Sequence, residues 1–153
     1  MRQLELRIPP LAVLLFFGVI AIVLARVIPT PTFRFPGAGG VAAIVAAIGT
    51  AFAVLGVVEF RRARTTVNPT QPGTTSRIVA TGVYKLSRNP MYLGFALLLL
   101  ALAVWLSHTP ALLTVPAYML YMNRFQISPE ERALMAKFGN EFATYMQTVR
   151  RWI

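Results

Sequence analysis

Few residues in this sequence are equipped for chemistry. The carboxylates are Glu5, Glu59, Glu130, Glu131 and Glu141; there is no Asp, no Cys and one histidine, His108. A Ser-His-Asp triad cannot be assembled, thiol nucleophiles and thiolate metal sites are excluded, and one imidazole cannot make a multi-histidine metal centre. Two clusters remain. "SRNPMYLG", Ser87 to Gly94, sets a guanidinium, an amide and a proline directly before the apolar run "FALLLLALAVWL", and "SPEER", Ser128 to Arg132, sets two adjacent carboxylates directly after another apolar run. Pro90 presets a first helical turn and biases Asn89 to extended backbone, which holds Arg88 and Asn89 at a helix entrance. From there Arg88 can fork onto a carboxylate or snorkel to a lipid phosphate, and Glu130 and Glu131 can accept from amino or hydroxyl groups.

The elements that position these clusters are apolar. Of the 153 residues, 56% are hydrophobic and 13% charged, which places the chain in the membrane class. The expected fold is all-α and integral to the membrane: about four transmembrane helices plus a C-terminal amphipathic cytosolic helix, in a single domain spanning residues 1–153. Two N-terminal spans fill 1–60: one from about Ile8 to Ile28, read as an uncleaved helix rather than a signal peptide, and one from about Val41 to Phe60. "GAGG" between them reads as a turn rather than a phosphate loop. A cytosolic loop (61–90, with "NPTQPG") leads into a helical hairpin (91–127) hinged at "SHTP", and a tail (128–153) follows. The entrance for a lipid is expected between the hairpin and the second span.

Lys and Arg outnumber Asp and Glu by 15 to 5. No basic segment is interleaved with aromatics as a base-stacking platform, so nucleic acid is not an expected partner, whereas membrane lipids are. With the N-terminus inside, 13 of the 15 basic residues fall on the cytosolic side, leaving only Arg26 and Arg34 outside. Both termini and all five Glu are then cytosolic, in a bacterial or archaeal cytoplasmic membrane. In the tail, Ser128, Pro129 and Glu131 match a capping box, and Leu134, Phe138, Phe142, Tyr145 and Val149 form one apolar stripe. His108 reads as a turn residue, Trp105 and Trp152 as interfacial anchors, and Glu59 as the close of a helix end.

The ordered set "GVYKLSRNPMYLG", an apolar hairpin and "EERALMAKFGNEFATYMQTVRRWI" resembles the isoprenylcysteine carboxyl methyltransferase and phospholipid N-methyltransferase superfamily of membrane methyltransferases. The resemblance runs from about Thr66 onward. It implies an S-adenosylmethionine-dependent methyltransferase whose polar segment and Glu pair enclose the cofactor at the cytosolic membrane face. Carried over residue by residue, it implies cofactor contacts from Gly82, Tyr84, Arg88, Asn89, Pro90, Tyr92, Gly94, Glu130 and Glu131, with Arg88, Glu131 and Tyr92 at the reacting centre. Many members read Arg-His-Pro where this chain has Arg88, Asn89 and Pro90, so no imidazole is available at that position. The methyl acceptor expected is lipid-like or a small amphipathic molecule. A carboxylate acceptor needs no base, whereas an amine must lose a proton to a Glu or Tyr. The competing reading is a non-catalytic lipid-binding or scaffold protein with the same fold.

Overall fold

Among the described residues, two helices are long and apolar enough to cross a membrane. In a computed structural model, which describes residues 5–29, 32–33, 35–64 and 75–153, they are α1 (Pro10–Val27, 18 residues) and α2 (Ala38–Arg62, 25 residues). Pro10 occupies the first turn of α1, where its missing amide costs nothing. Gly37, at φ +88, turns the chain into α2, so the helix begins within "GAGG", three residues before the expected Val41. Leu15, Phe16 and Val19 on α1 and Ile44 and Val54 on α2 point outward, as side chains do where lipid is the solvent.

A 3-10 turn (Gly82–Lys85) precedes α3 (Pro90–Leu106), followed by α4 (Thr109–Leu112), α5 (Thr114–Met122), a π turn (Asn123–Ile127), α6 (Ser128–Phe138) and α7 (Asn140–Thr148). No strand forms among the described residues, only an isolated bridge between Thr32 and His108. The hairpin reverses at "SHTP" as expected. Ser107 adopts φ +50 there, and buried His108 donates from Nε2 to the Ile28 carbonyl at 3.0 Å, tying the tip to the α1–α2 connection. At 17 residues, α3 is about 26 Å long, less than the ~30 Å of a hydrocarbon core. "NPTQPG", Arg2 and Arg34 lie outside the described residues.

Three features differ from the sequence expectation. First, α2 and α3 are in backbone contact: a Cβ on Gly94 would lie 2.5 Å from the Gly49 oxygen and 2.8 Å from the Ala53 nitrogen, and one on Gly56 would lie 2.5 Å from Met91 Cγ. Small residues let two apolar helices meet this closely, and the expected lipid entrance is closed at these levels. Second, Ser128 caps nothing. Ile127 before it is already helical (φ −67, ψ −49), so α5 passes through the π turn into α6, and Ser128 Oγ donates back to the Asn123 carbonyl at 2.7 Å. Third, the tail stripe does not lie on one helix. Gly139 (φ +50, ψ −121) separates α6 from α7, and Phe142 is buried against the protein rather than presented to lipid.

Candidate active site

Arg88 is the hub of the polar junction where α3 begins. Pro90 starts α3 and is fully buried, fixing the preceding three residues against the segment after α7. Arg88 Nη1 donates to the Met146 and Val149 carbonyls at 2.9 and 2.8 Å, in the last turn of α7 and just beyond it, where a helix leaves carbonyls without intrahelical partners. Its backbone amide donates to the Arg150 carbonyl at 2.9 Å. Nη2 donates to Glu131 Oε1 at 2.8 Å, and both side chains are nearly enclosed, 10% and 13% exposed. Nε is buried with no hydrogen-bond partner among the described residues. One guanidinium donor is thus left for an acceptor that is not part of this network. Asn89 is a plain donor here, from Nδ2 to the Arg151 carbonyl at 2.9 Å.

Glu131 is shared by two arginines. Arg151 Nη2 takes Oε2 at 2.5 Å and Nε takes Oε1 at 3.2 Å, while Nη1 reaches Asn123 Oδ1 at 3.5 Å. Trp152 Nε1 donates to the same Asn123 oxygen at 3.1 Å. Trp152 is therefore tied into the junction instead of anchoring at a lipid interface, whereas Trp105 is 68% exposed, as an anchor would be.

The second carboxylate sits deeper. Glu130 Oε1 accepts from Tyr92 OH at 2.5 Å and from Gln126 Nε2 at 2.9 Å. Burial pushes its carboxyl from the ordinary 4.5 up to about 7, against the opposing pull of those two donors. Burial also raises the Tyr84 and Tyr145 hydroxyls, so neither gives up a proton near neutrality. Among these side chains, Glu130 is the one poised to exchange a proton at pH 7.

The junction brings together Arg88, Asn89, Tyr92, Glu130 and Glu131, with Pro90 setting their entrance. Gly82, Tyr84 and Gly94 make other contacts. Gly82 (φ +55) makes room for Glu59, which would sit 2.7 Å from a Cβ there and accepts a hydrogen bond from Thr81. Buried Tyr84 turns its ring onto Phe60, 5.4 Å between centroids, and its carbonyl accepts from Tyr145 OH at 2.7 Å. Gly94 is the α2–α3 contact already described. Beside Glu131, an open groove of about 500 Å³ is lined by Ser128, Arg132, Met135, Ala136 and Met146. The Glu131 carboxylate and the largely apolar lining of this groove suit a ligand with a cationic end and a flat, less polar body.

Residues 38–141 match the family model of phospholipid methyltransferases. That span covers more than half of the chain and holds both motifs. The chain belongs to the phospholipid methyltransferase family. An uncharacterised protein of Haemophilus influenzae is 48% identical over 63 residues, which is 41% of this chain and all of the relative. Family membership and two membrane-length apolar helices make this a membrane protein of methyltransferase type acting on lipid-like substrates. Sequence reasoning missed Arg151, Asn123 and Gln126 as parts of the site. Arg151 lies beyond the matched residues, and its charge alone reads as cytosolic orientation; Asn123 and Gln126 aim inward because of the π turn, which leaves no mark in hydropathy.

Proposed function

We propose that the protein transfers a methyl group from S-adenosylmethionine to an amine-bearing, lipid-like or small amphipathic acceptor at the cytosolic face of the membrane. The carrying observation is the pairing of the Arg88–Glu131 cluster with a neighbouring carboxyl, Glu130, pushed up to about 7. S-adenosylmethionine, when bound, supplies an electrophilic methyl on a sulfonium. Arg88 offers its Nε–H to the cofactor's carboxylate, and Glu131 holds the cationic amino end. Asn89 and Pro90 keep Arg88 in register with α7. Met135, Ala136 and Met146 form the wall that excludes water from the less polar part. Tyr92 orients Glu130, and Glu130 accepts the proton an amine must lose before or as it is methylated; a carboxylate acceptor would leave this group without a task.

The two arms of the hairpin are taken as two further tilted spans, giving about four in all, with both termini and the polar junction cytosolic. Calorimetry of the detergent-solubilised protein with S-adenosylmethionine, followed by transfer of isotope-labelled methyl into amine lipids, tests the proposal. Binding and labelling of an amine lipid, both lost in Arg88→Lys, are expected. No cofactor binding and no labelling of any lipid would instead mark a non-catalytic scaffold.

A further inference from the structure

The segment before α1 performs a task that neither its composition nor the family match assigns, since residues 5–9 lie ahead of the matched span. It begins with the π turn Asn123–Ile127. In an ordinary helix the Phe125 carbonyl would accept from the amide four residues on, but that residue is Pro129, which has none. The missing donor comes from the N-terminal segment: the Leu6 amide donates to Phe125 O at 3.0 Å. Leu6 adopts φ +60 to do so, a left-handed conformation that a leucine rarely takes.

Glu5 completes the splint. Its carboxylate, 14% exposed, accepts from Arg124 Nη1 at 3.1 Å, inside the π turn, and from Arg132 Nη2 at 2.5 Å, beyond it on α6. One carboxylate thus bridges the two sides of the irregular turn. The side chains this turn aims inward are Asn123, which accepts from Arg151 and Trp152, and Gln126, which donates to Glu130. We propose that Glu5 is a positioning residue: with the Leu6 amide it holds the π turn in the form that places Asn123 and Gln126 against the Arg151–Glu131 and Glu130 groups of the site. Glu5 is not among the residues that line the groove beside Glu131. The choice of ligand for the test rests on the methyl-transfer reading.

The chain has two tryptophans, so a Trp105→Phe background leaves Trp152 as a local reporter on Asn123. In that background, Glu5→Ala is expected to move Trp152 emission to longer wavelength at a temperature where the protein is folded. It is also expected to weaken S-adenosylmethionine affinity about 2- to 30-fold by calorimetry. Glu5→Gln keeps a carbonyl acceptor for one arginine and should give smaller changes of the same sign. A Glu5→Ala protein that melts earlier but keeps the parental emission and affinity while folded would make Glu5 merely structural and overturn the proposal. If Glu5→Ala fails to fold, parental emission and affinity in Glu5→Gln overturn it equally. If the parent binds no S-adenosylmethionine, the methyl-transfer reading fails, and Trp152 emission alone still decides the splint.

Discussion

The α2–α3 contact and the polar junction at the start of α3 are built on opposite principles. Along α2–α3, Gly49, Gly56 and Gly94 remove side chains so that backbones and Met91 can meet, and specificity comes from what is absent. At the junction, Arg88, Asn89 and Arg151 bring donors to carbonyls of α7 and of the segment after it and to the Glu131 carboxylate on α6, and specificity comes from matching each donor with an acceptor. The first region should fail by a single methyl. The second should fail by a single charge while its shape survives.

That contrast can be broken most forcefully at Gly94. Gly94→Ala places a methyl against backbone atoms that cannot swing aside, and is expected to cost at least about 3 kcal/mol in thermal unfolding. A near-neutral Gly94→Ala would mean that the two helices stand further apart. The next test concerns Glu130. Its folded carboxyl is raised from 4.5 to about 7, so the stability it contributes is fully present below pH 4.5 and is lost as pH rises through 7. Relative to Glu130→Gln, the parent should therefore lose on the order of 2–3 kcal/mol between pH 4.5 and 8. A pH-independent difference between the two would contradict the burial of this carboxyl.

Glu131→Gln keeps the shape but leaves two arginines without their anion. A loss of about 2 kcal/mol without ligand is expected, together with loss of the stabilisation by S-adenosylmethionine in the same melting assay. A capping role would have predicted unchanged stability, because Gln also completes a capping box. The smallest effect belongs to Arg62→Ala. Its contact with Glu59 leaves Arg62 74% exposed, so the melting midpoint should move by less than the equivalent of about 0.5 kcal/mol. A larger change would assign Glu59 a dependence on charge that its packing against Gly82 does not suggest.

The two regions also differ in how far the sequence discloses them. Hydropathy and the Pro and Gly punctuation place α1, α2, α3 and the "SHTP" reversal to within a few residues, because each is encoded locally. The motifs around Arg88 and the Glu pair were legible as polar groups at helix ends. Their partners were not: Arg88 to Glu131 spans 43 positions, Asn89 to Arg151 spans 62, and Tyr92 to Glu130 spans 38. Ser128 misled because Ser-Pro-Glu-Glu reads the same whether a helix starts there or merely continues through a π turn. In the sequence Gly94 reads as part of a motif, whereas its close contact depends on Gly49 facing it from α2.

On the proposed reading the Arg88–Glu131 cluster forms a site for S-adenosylmethionine. Calorimetric titration of the purified protein beside its Arg88→Lys variant tests it most directly, because Lys keeps the charge but loses Nε–H and the planar fork onto Met146, Val149 and Glu131. Saturable binding to the parent and an affinity at least about tenfold weaker in the variant are expected, with the variant still folded by circular dichroism. Equal affinity in both proteins would contradict that reading, and would move the cofactor away from Arg88 altogether.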